Sequence, residues 1–215
     1  MQQQFKLHFV VDPLCGWTYA AGPLMEQSLS IPNLLVQVHG GGMLTGDRRR
    51  PVTQEWRDFV RPHDLRIAKI SGQTFGEAYY DKLLSDTSIV LDSTPATIAI
   101  LSAQEIARLG VQMLNRVQYA YFGEGQKIFD IDTLIKLAVG LGIDQNSFKK
   151  AYVESEKRIP QHFNQTSELL RQINGQGFPS AALEVNGQYQ PLDISRYYGK
   201  PQEWLEYLHS VNPSI

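Results

Sequence analysis

The chain has 215 residues, of which 42% are hydrophobic and 20% are charged, and its formal net charge is −2. This composition is typical of a globular protein that buries a sizeable core. The balanced charge excludes the strongly basic surface that attracts nucleic acids or anionic membranes. No stretch approaches the roughly 20 apolar residues of a transmembrane helix, and the first apolar run is too short for a secretory signal. We therefore expect no nucleic-acid partner, no membrane partner and a cytoplasmic location.

The N-terminal segment predicts a βαβ unit. Residues 5–11 form an apolar strand, a helical pattern runs from about Cys15 to Leu29, and a second apolar run begins at Leu34. Short loops join these elements, so the two strands are expected to be parallel and the connection right-handed.

The middle of the chain is helical in pattern, and strand signals return near the C-terminus. From about Pro51 to Asn174, leucine and aromatic stripes recur at helical spacing, as is typical of core-facing helices. After Gly175, two short apolar runs flank Asn186-Gly187, the strongest short-range signal for a hairpin. A final amphipathic helix follows. The order βαβ, helical block, ββα predicts an α/β fold in which one sheet, built from residues 1–45 and 175–215, carries an all-helical insertion at 46–174.

Cys15 is the only cysteine, and it stands at the predicted first turn of a helix. Unpaired N–H groups and the helix dipole stabilise a thiolate there, so the position predicts a lowered pKa and a nucleophilic or redox role. The alternative is a small buried apolar filler, the usual role of a free cysteine. The residue pattern leaves both alternatives open.

The chain resembles the DsbA-like branch of the thioredoxin superfamily. Cys15 follows the first strand, where that family has its C-x-x-C motif, and the segment 92–96 (Asp-Ser-Thr-Pro-Ala) lies where a helix of the insertion begins. Gly177-Phe178-Pro179 precedes the hairpin, where the family has its cis-proline. The layout is similar to predicted protein-disulfide isomerases, kappa-class glutathione transferases and chromene-carboxylate isomerases.

This resemblance implies a thioredoxin-like sheet and an active site around Cys15. It implies that Phe178 and Pro179, with a cis bond between them, line that site beside Trp17 and offer backbone groups to a substrate. These three residues are the predicted substrate-binding residues.

The chain departs from the family at Thr18, which occupies the position of the second cysteine. A dithiol oxidoreductase needs that cysteine to resolve its mixed disulfide, so this chain cannot cycle as an intramolecular dithiol oxidase. Spacing of three on a helix places the Thr18 hydroxyl near the sulfur, where it can donate a hydrogen bond to the thiolate. Cys15 and Thr18 are therefore the predicted catalytic pair.

Three functional hypotheses follow. The leading one is a monothiol thiol-disulfide oxidoreductase in which Cys15 exchanges with a disulfide and glutathione acts as co-substrate. The second is a kappa-type glutathione transferase or isomerase, with an apolar pocket supplied by Trp17, Tyr19 and Phe178. The third is a redox-inactive module that binds peptides by strand addition beside Pro179.

No metal site or tightly bound cofactor is predicted. The five histidines show no pair at metal-ligand spacing, and His8 and His39, in or beside predicted strands, are interpreted as ordinary strand residues. The expected partners are glutathione or other thiol- or disulfide-containing substrates. The sequence leaves the oligomeric state open, with a homodimer as one alternative.

Overall fold

The computed structural model describes residues 5–211; residues 1–4 and 212–215 of the predicted sheet domain lie outside that range. Its main sheet has four strands in the order β2-β1-β5-β6. Their bounds, with those of a separate two-stranded ladder, are β1 Phe5–Val11, β2 Leu34–Gly40, β3 Arg50–Pro51, β4 Val90–Leu91, β5 Ser180–Val185 and β6 Gln188–Leu192.

The two halves of the chain meet in this one sheet, as predicted. β1 pairs in parallel with β2 and antiparallel with β5, which in turn pairs antiparallel with β6. β1 is buried at every position except Lys6 because helices cover both of its faces. The turn between β5 and β6 has positive φ at both Asn186 and Gly187, as the tight hairpin turn requires.

Eight helices surround the sheet in the described part of the chain. Their bounds are α1 Gly16–Ser28, α2 Gln54–Ser71, α3 Glu77–Asp81, α4 Thr94–Ala107, α5 Gly110–Gln118, α6 Ile131–Gly140, α7 Gln145–Gln172 and α8 Pro201–Val211.

Helices cover the two faces of the sheet with different clusters. On one face, the fully buried Trp204 of α8 packs its ring 6.3 Å from that of Phe9 and donates a hydrogen bond from Nε1 to Ser28 Oγ of α1 at 2.8 Å. On the other face, Val10 and Ala182 form a smaller cluster with residues of α7. Trp204 thus joins the C-terminal end of α1 to the sheet.

The insertion is helical except for one short feature. The two-residue strands β3 and β4 pair antiparallel with each other inside it. A π-helical segment, Tyr119–Gly123, extends α5. The main hydrophobic cluster contains both sheet residues, such as Phe9, and insertion residues, such as Leu114; the division at residues 45 and 174 stays a prediction. Within residues 5–211, no helix combines the length and apolarity needed to cross a membrane.

The parallel pairing of β1 and β2 brings two histidines together. His8 Nδ1 lies 2.9 Å from His39 Nε2, and His8 Nε2 lies 2.8 Å from a Glu184 carboxylate oxygen. The His39 ring also stacks with that of His162 from α7, at 6.4 Å between centroids. Burial lowers the pKa of His39 to about 3 and that of His162 to about 4, so both rings are neutral at pH 7.

Candidate active site

Cys15 caps the N-terminus of α1, as predicted. Its backbone is extended, and its carbonyl accepts the first helical hydrogen bond from Tyr19 N at 3.1 Å. The residue is half-buried and lines a cavity. Its sulfur donates a hydrogen bond to the carbonyl oxygen of Phe178 at 3.4 Å. The structure therefore brings the lone thiol to the loop that the resemblance pointed to.

The expected lowering of the Cys15 pKa is wrong for the resting protein. Burial raises the pKa of the thiol, and the nearby charge of Asp12 raises it further. The Thr18 and Trp17 backbone N–H groups and the Thr18 hydroxyl act in the opposite direction, but none of these N–H groups makes a capping hydrogen bond to the sulfur. Sequence position reveals the helix terminus but not the desolvation by surrounding protein, and here desolvation is the larger effect.

Asp12 is a fully buried carboxylate that organises the loop before α1. It accepts hydrogen bonds from Leu14 N at 2.9 Å, from Met43 N at 2.6 Å and from Ser93 Oγ at 2.8 Å. Burial nevertheless raises its pKa to about 6. Ser93 stands at the N-cap position of α4, but its hydroxyl donates to this carboxylate and makes no capping hydrogen bond to the helix.

Thr18 is fully buried, and its hydroxyl is close enough to Cys15 to lower the pKa of the thiol. The same Oγ1 accepts a hydrogen bond from Asp12 N at 3.3 Å. The proximity expected from helical spacing is present. The catalytic role of Thr18 stays a prediction.

Gln118, at the end of α5, also holds the loop that carries the thiol. Its buried Nε2 donates to the carbonyl oxygens of Asp12 at 3.5 Å, Pro13 at 3.3 Å and Cys15 at 3.3 Å. No sequence signal marks Gln118, since it lies 103 positions from Cys15 and in the middle of a helical stripe.

The Phe178-Pro179 bond is cis, as the resemblance implied. The Phe178 side chain packs beside the cluster of Val10 and α7, and its ring fills the space above Gly41, where a Cβ atom would come within 1.9 Å of it. The residue therefore turns its carbonyl toward Cys15 and its ring away. Pro179 lines a separate groove of about 470 Å³ together with Tyr198.

Trp17 connects the thiol to that groove. Its ring stacks on Tyr198 at 5.4 Å between centroids, and the Arg66 guanidinium lies 5.7 Å from its ring centroid. Tyr198, which the sequence analysis missed, lies close enough to the sulfur for the thiolate charge to raise the pKa of its phenol, with burial as the larger cause. Its position comes from the loop after β6, for which no motif is known.

The apolar pocket expected from Trp17, Tyr19 and Phe178 has a different lining. Trp17 and Cys15 do line an aromatic cavity, but its other walls come from the insertion. Tyr19 is a core residue, since its ring stacks on Phe122 at 5.0 Å and its hydroxyl donates to the Thr74 carbonyl at 3.1 Å. No group of three or more His, Cys, Asp or Glu side chains in residues 5–211 could hold a metal ion.

A mixed four-stranded sheet, a cysteine at the N-terminus of its first helix and a cis-proline loop against the sulfur define the thioredoxin class of thiol proteins. The solved structure of the cytosolic disulfide reductase DsbM from Pseudomonas aeruginosa matches with a TM-score of 0.90 and 41% identity, over 98% of this chain and 100% of that one. The same reductase solved with GSH matches with a TM-score of 0.87 and 40% identity, over 96% and 98%.

DsbA from the same organism shares the fold at a TM-score of 0.52 and 15% identity, covering 97% of this chain and 82% of that one. No protein-family model and no curated protein matches the chain. The chain belongs to the DsbA-like family of thiol-disulfide oxidoreductases in the thioredoxin superfamily, and within it to the DsbM type.

Proposed function

We propose that this protein is a monothiol reductase that exchanges disulfides at Cys15 with glutathione as its reducing co-substrate. The observation that supports it most is the 3.4 Å contact between the Cys15 sulfur and the Phe178 carbonyl, since the only thiol of the chain lies at the cis-proline loop. A relative with 40% identity that was solved with GSH supports the choice of co-substrate.

The proposed reaction has three exchange steps. The Cys15 thiolate attacks a substrate disulfide, forms a new S–S bond and releases one substrate thiolate, which takes up a proton. A glutathione thiolate displaces the second substrate thiol, leaving glutathione bound to Cys15. A further glutathione thiolate attacks this mixed disulfide, releases oxidised glutathione and regenerates Cys15. Two glutathione thiols thus supply the two electrons that reduce one disulfide.

The residues around the sulfur affect how readily Cys15 forms a thiolate during this cycle. The N–H groups at the start of α1 and the Thr18 hydroxyl favour the thiolate, which also forms each time the mixed disulfide is resolved. Because the pKa of Cys15 is raised, the resting thiol is protonated at neutral pH. Its reaction with disulfides that do not bind at the site is therefore slow.

We assign glutathione to the groove beside Pro179. This groove holds about 470 Å³, within the range of small-ligand sites, and combines apolar walls with the polar residues Gln176 and Ser195. Tyr198 connects it to Trp17 and so to the turn that carries Cys15. DsbM is a cytosolic disulfide reductase, and glutathione keeps thiols reduced in the cytosol, so a cycle driven by glutathione fits this relative.

The direct test is incubation with oxidised glutathione followed by intact-mass measurement. Wild type is expected to gain the mass of one glutathionyl group and to lose it on addition of reduced glutathione, whereas Cys15→Ser is expected to gain none. A wild-type protein that stays unmodified under conditions that modify an exposed cysteine would refute the proposal. Conjugation of glutathione to an aryl halide that survives Cys15→Ser would favour the transferase hypothesis instead.

A further inference from the structure

A cavity of about 280 Å³ is lined by Cys15 and shares no lining residue with the Pro179 groove. The first turn of α1 forms one side, and α2 and the π-helical segment form the others. Its walls are both aliphatic and aromatic, and the ring-bearing residues that line it are Trp17, Trp56, Phe59, His63, Tyr79, Tyr121 and Phe122. This volume is near the lower limit for ligand pockets, so the cavity suits a small molecule with one ring.

Asp64 lines this cavity, and one of its two carboxyl oxygens has no hydrogen-bond partner within residues 5–211. Asp64 of α2 is 4% exposed, and its Oδ2 makes no hydrogen bond to any residue in the range 5–211. The neighbouring hydroxyls of Tyr79 and Tyr80 hold its pKa down only in part, and burial raises that pKa to about 7. Trp56, which lines the same cavity, has a buried Nε1 that also lacks a partner there. Buried polar atoms are rarely unpaired, because an unmet hydrogen bond costs roughly 1–3 kcal/mol.

Asp64 lies against the turn that carries the thiol. A Cβ atom built on Gly16 would lie 3.6 Å from Asp64 Oδ1 and only 2.8 Å from Ile67 Cδ1. The small size of Gly16 lets the carboxyl group approach the residue that follows Cys15 without displacing the end of the Ile67 side chain. A ligand that reaches Asp64 therefore lies beside the sulfur.

No cation neutralises this carboxyl group within the described chain. The two arginines nearest on α2 point elsewhere, since Arg61 lies over the Tyr80 ring at 5.3 Å and Arg66 over the Trp17 ring at 5.7 Å. The cavity thus offers apolar and aromatic surface and one carboxyl group that forms no ion pair within residues 5–211.

We propose that this cavity binds a small aromatic compound bearing a hydroxyl or amino group, which donates a hydrogen bond to Asp64. The ring packs among the aromatic walls of the cavity. Aromatic acids are excluded, because their carboxylate would meet Asp64 in a dry pocket. Resting on the proposed exchange at Cys15, this inference makes the cavity the site of the non-glutathione partner, an aromatic thiol or disulfide.

Tyramine, a phenol with an amino group, is a suitable probe, and phenylacetate is the matched acid. By calorimetry we expect wild type to bind tyramine and to show no binding of phenylacetate. Asp64→Asn is expected to weaken tyramine binding by about tenfold, which is the usual effect of losing one charged hydrogen bond. Asp58→Asn changes an exposed carboxylate of the same helix and is expected to bind as wild type does.

A second readout reports on the sulfur itself. Saturating tyramine is expected to slow alkylation of Cys15 by iodoacetamide in wild type and in Asp58→Asn. Phe59→Ala, which removes a 56% exposed ring at the cavity mouth, provides a variant that leaves the core intact and is expected to weaken binding. Absence of tyramine binding by wild type, or equal affinities in wild type, Asp64→Asn and Phe59→Ala, would overturn the inference.

The outcomes separate this inference from the proposed function. If the protein forms the glutathione adduct on Cys15 but does not bind tyramine, the proposed exchange function stands and the aromatic site is refuted. If it binds tyramine through Asp64 but never forms the adduct, the aromatic site stands and the exchange function is refuted.

Discussion

The sulfur of Cys15 and the carbonyl oxygen of Phe178 lie 3.4 Å apart although 163 positions separate the two residues in the chain. The contact forms because β1, which leads into the thiol loop, pairs antiparallel with β5, which follows the proline loop. The register matches Val10 with Ser180, so each loop leaves the same edge of the sheet. The sheet therefore fixes the position of the thiol relative to the loop that contains Phe178 and Pro179.

The reactivity of Cys15 is expected to depend on the charge of Asp12. Burial and the Asp12 carboxylate both raise the pKa of the thiol, and Asp12, with a pKa of about 6, is ionised where the thiol titrates. Asp12→Asn should therefore lower the pKa of Cys15 and speed its alkylation at pH 7.5. The rate of iodoacetamide modification as a function of pH measures this shift.

Asp86→Asn is the control for this experiment, because Asp86 is paired with Lys127 and is not among the groups that perturb the thiol. It should leave the alkylation profile unchanged. A wild-type pKa below about 8.5, the ordinary value of a free thiol, would contradict the direction assigned here.

Replacing Thr18 with cysteine should restore an internal resolving thiol. Thr18 is fully buried and its side chain lies near the sulfur, so a thiol there is held at high effective concentration. Thr18→Cys is expected to shorten the lifetime of the glutathione adduct on Cys15 by about tenfold or more, with formation of an intramolecular disulfide. Intact-mass measurement over time follows both species.

Ser88→Cys places a second cysteine on an exposed segment and serves as the control. It should leave the lifetime of the Cys15 adduct unchanged. Equal lifetimes in Thr18→Cys and Ser88→Cys would show that position 18 cannot reach the sulfur.

The close packing of Gly41 against Phe178 predicts a large effect from one methyl group. A Cβ atom at position 41 would approach the Phe178 ring to 1.9 Å. Gly41→Ala is therefore expected to lower the free energy of unfolding by about 1–3 kcal/mol, the usual cost of overpacking. Urea denaturation measures the change.

Gly140→Ala is the matched substitution in open space. Gly140 ends α6, and a Cβ atom there would have no neighbour within 4 Å. The free energy of unfolding should stay the same or rise by up to about 1 kcal/mol, because alanine favours helix over glycine. The prediction fails if both alanine variants have the same stability.

The stacked histidines predict acid sensitivity. Burial lowers the pKa of His39 to about 3, and the neighbouring His8 and His162 lower it further. Burial also lowers the pKa values of His8 and His162. Below pH 6.5 the unfolded chain takes up protons that the folded protein excludes, so stability present above that pH is lost as the pH falls. Each such histidine contributes a slope of up to about 1.4 kcal/mol per pH unit.

His39→Gln removes one of these groups. Between pH 6.5 and 4.5, its free energy of unfolding should fall less steeply than that of wild type. Comparing the two proteins cancels the opposite contributions of Asp12 and Asp64, whose raised pKa values favour the folded state as the pH falls. Parallel curves from urea denaturation at several pH values would contradict the assignment.

The residue pattern predicts most of the fold because the signals are local. Apolar periodicity and turn residues locate the strands and most helices, and the helix expected from Cys15 to Leu29 is observed as Gly16–Ser28. The Asn186-Gly187 hairpin and the parallel βαβ unit follow from backbone chemistry alone.

The site is predictable only where a motif marks it. The sequence marks Cys15 because it is the only cysteine. The family resemblance marks the loop that contains Phe178 and Pro179. Gln118, Tyr198 and Asp64 reach the site through tertiary packing that no local pattern encodes. The pKa of the thiol was mispredicted for the same reason, because desolvation depends on atoms that are distant in sequence.

The three hydrogen bonds from Gln118 make the reactive loop a joint between two parts of the molecule. The Gln118 amide at the end of α5 donates to the carbonyl oxygens of Asp12, Pro13 and Cys15. The Asp12 carboxylate joins the same turn to the segment after β2 by accepting from Met43 N. Rotation of α5 would therefore move the nucleophile directly. The insertion therefore helps to set the position of the thiol. A foreign helical segment grafted in its place would lack Gln118 and the hydrogen bonds that hold the Cys15 loop.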